Sequence, residues 1–206
     1  MSLSFTLVLI IIIVIISLQG FNNQSFQYKY ALSPYDVVQN KKYYQLISHM
    51  FLHADWTHLL FNVISFYMFG EFLEIELAAA YGSSLAYLHF FVLFFLGGLF
   101  STLLPLIRNH TNPNYLSLGA SGAVSSIVFA TMLWQPQMEL GLIFLPGISI
   151  PAYIFAPLYL IFEWYAFRKG KSNIAHDAHI GGSIFGIIYI LLINFEKGKL
   201  FIFSFI

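Results

Sequence analysis

The sequence has 206 residues, of which 59% are hydrophobic and only 9% are charged, whereas soluble domains average about 25% charged residues. The exterior of a soluble protein of this length needs more charge than this, so the composition excludes a soluble domain and predicts a polytopic membrane protein. Nine Lys+Arg balance nine Asp+Glu, which leaves no basic surface for nucleic acid, and the absence of cysteine excludes disulfides, thiol nucleophiles and thiolate metal sites.

Six apolar runs are predicted to be membrane-spanning helices, each of about 20 residues. They cover residues 3–18, 56–77, 85–107, 120–136, 150–167 and 176–195. A cleaved signal peptide is the alternative for the first run, but no basic residue precedes it and no A-x-A-like site follows it, which favours a retained helix. Asp55 is placed to cap the second helix, and Pro157 predicts a kink in the fifth. The chain is therefore predicted to be a single all-α membrane domain, residues 1–206.

The segments between and after these runs are predicted to stay outside the membrane. Residues 20–48 form the longest polar stretch, with scattered aromatic residues that are typical of a loop at the membrane interface. The tail, residues 200–206, is too short to cross. If the N-terminus is cytoplasmic, only Lys197 and Lys199 of the nine Lys and Arg residues lie inside, so the positive-inside rule favours the opposite orientation.

Polar residues inside membrane spans are costly and indicate function by default. The first group contains His58 and Asn62, which are four residues apart and therefore share one helix face. Both side chains can donate hydrogen bonds. The alternative is that they only tie helices together, as polar side chains often do in membranes.

The second and third groups are predicted to meet. In Gly119-Ala120-Ser121-Gly122, a serine lies between glycines at a helix start, where backbone amides can hold an oxyanion, although a small-residue packing surface is the alternative. His179 is followed on one helix stripe by Gly182 and Gly186, which could press against the small-residue stripe Gly122, Ser126 and Ala130. Ser121 and His179 would then lie at similar depth, and a serine beside a neutral imidazole is the minimum for nucleophilic catalysis.

Together these groups resemble the rhomboid family of intramembrane serine proteases. The pattern H-x(3)-H-x(4)-H-x(3)-N is present as His49, His53, His58 and Asn62, followed by G-x-S-G at 119–122 and A-H-x-x-G-x-x-x-G at 178–186. Gly70 with Glu74 also fits the family pattern. The order and separation of these motifs are similar to those of the six-helix bacterial core, so the resemblance covers essentially the whole chain.

The resemblance implies a role for each matching residue. Ser121 matches the nucleophile and His179 its general base. The groups that hold the oxyanion match His58, Asn62 and the backbone amide of Ser121, in the motif that begins at Gly119. The implied reaction is hydrolysis of a peptide bond in or beside the transmembrane segment of another protein. It needs no cofactor, no metal and no third, acidic residue.

Two positions depart from the family pattern. Gln45 stands where an arginine usually follows an aromatic residue, and Ser125 stands where a tyrosine often supports the catalytic histidine. The resemblance also implies a bacterial cell membrane, with the catalytic opening on the non-cytoplasmic side. This orientation is preferred to the one that the distribution of Lys and Arg favours, because the motifs are more specific.

Two other functions remain open at this point. An inactive rhomboid-like protein would bind transmembrane helices without cutting them. A metal-binding transporter could use the histidines as ligands, but no carboxylate or thiol joins them at ligand spacing in the sequence. The prediction is an intramembrane serine protease whose partners are transmembrane substrates and the lipid bilayer.

Overall fold

The computed structural model describes residues 4–142, 145–170 and 175–206, and most of these residues are helical. The helices and strands, in chain order, are α1 (Phe5–Asn22), α2 (Gln24–Tyr30), α3 (Pro34–Gln39), α4 (Gln45–Ser48), α5 (Trp56–Tyr81), α6 (Ser83–Phe91), α7 (Gly97–Ser101), α8 (Leu103–Asn109), α9 (Ser121–Trp134), β1 (Glu139–Leu142), β2 (Leu145–Pro151), α10 (Ala152–Lys169), α11 (His176–Ile193) and α12 (Phe195–Phe203).

Helices lie at all six positions predicted to span the membrane. Residues 83–109 form one long helical run, in which a π-helical turn, Val92–Leu96, separates α6 from α7. By length and composition, three helical runs of the described chain can cross a membrane, namely Phe5–Asn22, Ser83–Asn109 and His176–Ile193. Leu3, where the first predicted span begins, lies outside the described residues.

Local hydrogen bonds explain where the first two long helices begin. The Asp55 side chain accepts a hydrogen bond from the backbone amide of His58 at 2.8 Å, which confirms the predicted cap of α5. The carboxylate of Glu74 in α5 accepts hydrogen bonds from the amides of Phe5 and Thr6 at 2.8 and 3.0 Å, and these amides have no acceptor within α1. Glu74 therefore fixes the start of α1 against α5.

The connection between α1 and α5, which is predicted as a loop at the membrane interface, contains the three short α-helices α2 to α4 and a 3₁₀ turn, His49–Phe51. Gln45, which is 1% exposed, holds this connection through both ends of its amide. Its oxygen accepts from the amide of Ser33 at 3.1 Å, and its nitrogen donates to the carbonyl of Lys29 at 3.2 Å. An arginine could not accept the first of these bonds, so the glutamine at this position suits the local backbone.

A short antiparallel hairpin of β1 and β2 follows α9 and was not predicted. The tail likewise continues as a helix, α12, which packs against α9 and α11.

Helix α9 lies at the centre of the fold. All of its fourteen residues are buried except Ser121 and Val128, and it contacts α5, α7, α10, α11 and α12. The main core joins it to α1, α5, α6 and the π-helical turn Val92–Leu96 through large apolar side chains such as Leu73, Phe90 and Phe94. Helix α9 is therefore surrounded by other helices along most of its length.

Candidate active site

Ser121 is the first residue of α9 and, unlike most of that helix, is partly exposed. Ala120 before it provides no side-chain cap, and the first amides of a helix have no acceptor within the helix. Those amides and the helix dipole favour negative charge at this end of α9. Ser121 therefore lies where a developing oxyanion would be stabilised.

The segment that leads into Ser121 is held by the connection between α1 and α5. Ser117 and Leu32 exchange two backbone hydrogen bonds, of 2.8 and 3.0 Å. The amide of Gly119 donates to the carbonyl of His49 at 3.0 Å. The backbone before the serine is thus fixed at two points by a part of the chain that is distant in sequence.

His53 provides a third attachment. Its Nε2 accepts a hydrogen bond from the amide of Ala120 at 3.3 Å, so the ring proton is on Nδ1, which lies 2.9 Å from Oγ of Ser17. The Ser17 hydroxyl in turn donates to the carbonyl of Phe51 at 3.0 Å. Burial lowers the pKa of His53 from its usual value of 6.5 to about 3. The imidazole therefore stays neutral, as its acceptor role requires.

Gly119 brings His58 close to Ser121. Its φ of +137° is a conformation that favours glycine. A Cβ atom at this position would lie 2.8 Å from Nε2 of His58 and 3.7 Å from Oγ of Ser121. The His58 ring and the Ser121 hydroxyl therefore surround the same point, and a larger residue at 119 would displace the ring.

Asn62 lies one turn after His58 on α5 and is 7% exposed. Its Nδ2 donates to the backbone carbonyl of His58 at 2.9 Å, while its buried Oδ1 has no hydrogen-bond partner. An amide nitrogen carries two hydrogens, so a second one remains to donate. The structure places Asn62 next to His58 in the same helix, and its hydrogen bond goes to the backbone of His58.

The predicted contact between the two small-residue stripes is confirmed. A Cβ atom at Gly182 would lie 1.9 Å from the carbonyl oxygen of Gly122, and one at Gly186 would lie 2.2 Å from that of Ser126. The carbonyl oxygen of Ala178 is 3.5 Å from the Cβ position of Gly122. Because Ser121 and His179 each adjoin one of these contacts, the first turns of α9 and α11 lie side by side.

The environment of His179 contains an acidic residue, contrary to the expectation that the base has no acidic partner. The carboxylate of Glu163 in α10 lies 3.1 Å from Nδ1 of His179 and 2.6 Å from Nδ1 of His176. The sequence does contain a signal for Glu163, since it is a lone carboxylate within the fifth predicted span.

The expectation that no carboxylate joins the histidines at ligand spacing is also wrong. One ligand atom each from Glu163, His176 and His179 lie within 4.8 Å of one another. Two histidines and a carboxylate are a possible ligand set for a transition metal.

A second residue of α10 that sequence reasoning missed is Tyr159. Its hydroxyl lies 3.5 Å from Nδ1 of His179 and also interacts with the side chains of Ser125 and Glu163. Tyr159 and Glu163 are four residues apart and therefore share the face of α10 that is turned to His179. A tyrosine thus reaches the histidine from α10, although none is present one turn after Ser121.

Comparison with known proteins agrees with the resemblance drawn from the motifs. A family model described as the rhomboid domain matches residues 40–194. RHOMBOID-like protein 12, mitochondrial, from Arabidopsis thaliana is 28% identical over 94% of this chain. Rhomboid-like protein 11, chloroplastic, from the same plant is 29% identical over 74% of the chain, and presenilin-associated rhomboid-like protein A, mitochondrial, from Danio rerio is 28% identical over 68%.

The chain spans only part of these relatives, namely 58%, 53% and 35% of their respective lengths. Their names assign them to mitochondria or chloroplasts, so they give no support to a bacterial membrane. The apolar helices of this chain agree with a protein embedded in a membrane.

Proposed function

We propose that this chain, which belongs to the rhomboid family, is an intramembrane serine protease that cuts a peptide bond in or beside the transmembrane segment of another membrane protein. Ser121 is the nucleophile and His179 the general base. The observation that carries the proposal is the backbone contact of Gly182 with Gly122, which sets the first turns of α9 and α11 side by side. Such a close contact between the two helices would bring His179 to Ser121, which supports their roles as base and nucleophile.

The length of α9 supports a reaction below the membrane surface. Its fourteen residues extend about 21 Å, whereas the hydrocarbon core is about 30 Å thick. At its far end, Nε1 of Trp134 donates to Glu76 at 3.0 Å, and Nζ of Lys197 lies 4.6 Å from the indole ring centre. These charged groups favour a water interface at that end. For a helix along the membrane normal, Ser121 then lies about 9 Å below the opposite boundary.

The reaction follows the general course of serine catalysis. Oγ of Ser121 attacks the scissile carbonyl carbon while its proton passes to Nε2 of His179. The carbon–nitrogen bond then breaks, and the proton on His179 is transferred to the leaving amine. Water attacks the resulting ester with His179 again as base, and the ester bond breaks as the proton returns to Ser121.

The negative charge on the carbonyl oxygen needs donors during both attacks. The backbone amide of Ser121, the ring of His58 and the second hydrogen of Asn62 are the groups we assign to this task. A Cβ atom at position 119 would lie 2.8 Å from Nε2 of His58 and 3.7 Å from Oγ of Ser121. This closeness of the His58 ring to the serine hydroxyl supports its part in the assignment. No cofactor or metal takes part in these steps.

We further propose that α1, α5, the run 83–109, α9, α10 and α11 are six membrane spans, with the catalytic opening on the non-cytoplasmic side. The family resemblance supports this orientation against the distribution of Lys and Arg. The substrate must present an extended backbone at the scissile bond, whereas a helix in lipid satisfies all its amides internally. A segment with Gly or Pro near a small residue at its outer end meets that need at the lowest cost, so replacing these helix breakers with Leu should slow cleavage.

The deciding experiment is cleavage of a model single-pass substrate in detergent. Ser121→Ala should lose activity by a factor on the order of 10⁶ and should no longer react with a fluorophosphonate probe. Ser126→Ala is the matched control, because the buried Oγ of Ser126 has no hydrogen-bond partner and its removal breaks no bond. Full cleavage by Ser121→Ala would show that the site is assigned wrongly.

An inactive rhomboid-like protein that binds transmembrane helices is the second candidate. The protein would then bind the model substrate, leave it intact and fail to react with the probe. Retention of Ser121, His179, His58 and Asn62 together favours the protease, because loss of the nucleophile or the base is the simplest route to inactivity.

A further inference from the structure

Glu163 is a buried carboxylate that bridges two imidazoles. Its side chain is 4% exposed, and those of His176 and His179 are 7% and 15% exposed. One carboxylate oxygen lies 2.6 Å from Nδ1 of His176 and the other lies 3.1 Å from Nδ1 of His179. A carboxylate in such a place is costly unless each oxygen is paired, and here each oxygen has its own imidazole.

The chemistry of these groups fixes where the ring protons are. An ionised carboxylate only accepts hydrogen bonds, so each Nδ1 that faces it must carry a hydrogen. A neutral imidazole with its hydrogen on Nδ1 has a free lone pair on Nε2. For His179, that is the tautomer which a general base beside Ser121 requires.

We propose that Glu163 is a positioning residue for catalysis, which holds His179 in the Nδ1–H tautomer and stabilises the imidazolium formed when His179 takes the proton of Ser121. This inference rests on the proposed function. It adds a carboxylate from α10 to the serine and histidine of α9 and α11. The second oxygen of Glu163 faces His176, so the oxygen that faces His179 is not shared with another imidazole.

A bound metal ion is the competing interpretation of the same three residues. Two ligands of one tetrahedral zinc ion, each at about 2.0 to 2.1 Å, lie about 3.3 Å apart. Nδ1 of His176 and the nearer carboxylate oxygen of Glu163 are only 2.6 Å apart, which is too close for two ligands of one ion and near the length, about 2.7 to 2.9 Å, of a charge-assisted N–H···O hydrogen bond. The geometry therefore favours a shared proton over a shared ion.

Glu163→Gln keeps the shape of the side chain but removes its negative charge and its control over the tautomer of His179. An amide has one acceptor oxygen and one donor nitrogen, so it cannot accept from both Nδ1 atoms. If its nitrogen faces His179, the imidazole must carry its hydrogen on Nε2 and cannot act as base; if its oxygen faces His179, the negative charge is still lost. We expect kcat to fall about 10²- to 10⁴-fold, as for an amide in place of a triad carboxylate, with KM changed less than about threefold.

The matched control is Glu74→Gln. Glu74 is also a buried carboxylate. It accepts hydrogen bonds from the amides of Phe5 and Thr6 and from the hydroxyl of Thr6. It lies on α5 and caps α1, whereas His179 lies on α11. Its amide variant should lower the melting temperature in detergent and leave kcat of the folded protein unchanged. Glu163→Asp, which keeps the charge, should recover at least about tenfold of the kcat lost in Glu163→Gln.

A readout that does not depend on activity completes the test. Nitrogen-15 NMR of histidine-labelled protein in detergent reports which ring nitrogen carries the hydrogen, and the His179 signal is identified by its loss in His179→Gln. We expect hydrogen on Nδ1 of His179 in the wild-type protein and a changed His179 signal in Glu163→Gln. Titration with Zn²⁺ provides the comparison for a metal.

Three results would overturn the inference. They are hydrogen on Nε2 of His179 in the wild-type protein, a Glu163→Gln variant with kcat within about threefold of wild type, or a His179 signal that appears only on addition of Zn²⁺ and is abolished by a chelator. Failure of the proposed function is distinguishable, because it would appear as cleavage by Ser121→Ala or as no cleavage at all, whereas the NMR result would still report the tautomer.

Discussion

The close contact of α11 with α9 at Gly182 allows the effect of Gly182→Ala to be predicted quantitatively. A Cβ atom at Gly182 would lie 1.9 Å from the carbonyl oxygen of Gly122, whereas carbon and oxygen approach to about 3.3 Å at closest. Gly182→Ala therefore requires the two helices to separate by about 1.4 Å. The oxygen belongs to the backbone of a buried helix, so no side-chain rotation can relieve the contact.

The same displacement separates Ser121 from His179, because each residue adjoins the contact. A misplacement of about 1 Å at reacting groups can cost about 10²-fold in rate. Overpacking of a core typically costs about 1 to 3 kcal/mol of stability. We therefore expect Gly182→Ala to lose at least about 10²-fold in kcat and to unfold more easily, with little change in substrate affinity.

The assay is cleavage of a single-pass substrate in detergent, corrected for the folded fraction, together with thermal melting. Gly181→Ala is a graded comparison, since its Cβ would lie 3.0 Å from Cα of Ser101 and a small adjustment would suffice. Gly141→Ala, with nothing within 4 Å of its Cβ position, is the neutral control. Normal kcat in the folded fraction of Gly182→Ala would show that the contact stabilises the fold without setting the catalytic distance.

Three further predictions test the surroundings of the dyad. Asn62→Ala and His58→Ala should each lose about 10² to 10³ in turnover as oxyanion donors, while an interhelical hydrogen bond in a membrane contributes only about 0.6 kcal/mol to stability; a large fall in melting temperature with normal turnover would make either residue structural. His176→Ala should retain most activity, because the carboxylate of Glu163 keeps its hydrogen bond to His179. Inactivity of the folded variant would indicate that His176, not His179, is the base. Burial lowers the pKa of His49 to about 4 and that of His53 to about 3. Below pH 6.5 each imidazole therefore takes up a proton when the protein unfolds. The free energy of unfolding should fall by up to about 1.4 kcal/mol per pH unit per imidazole as the pH drops from 6.5 to 4. Melting temperatures at pH 7, 6 and 5 measure this loss, and a pH dependence in His53→Gln as steep as in the wild type would contradict it.

The features that the sequence predicted correctly have a short-range or periodic origin. The long apolar runs predicted the positions of six helices, because uninterrupted hydrophobic residues of that length have few other solutions in a membrane. Asp55 predicted a cap because its side chain reaches an amide only three residues away. Gly182 and Gly186 predicted close packing because residues four apart share a helix face.

The features that were missed depend on parts of the chain that are distant in sequence. Gln45 orders the connection between α1 and α5 through bonds to Lys29 and Ser33, and its residue type alone does not reveal them. Glu163 differs, because its position inside a predicted span marked it as unusual. Only the packing of α10 against α11 shows that two histidines are its partners.

The departure at Ser125 and the carboxylate at Glu163 have a common physical basis. A tyrosine at position 125 would support the catalytic imidazole through its ring, whereas the small Ser125 is buried and its side chain meets the hydroxyl of Tyr159. Tyr159 brings the face of α10 that carries Glu163 up to Nδ1 of His179, at 3.5 Å for the phenol and 3.1 Å for the carboxylate. An aromatic surface only packs against an imidazole, but a carboxylate also orients its proton and its charge. We therefore expect that the serine at position 125 does not weaken the support of His179, since α10 supplies a support that is polar and directional.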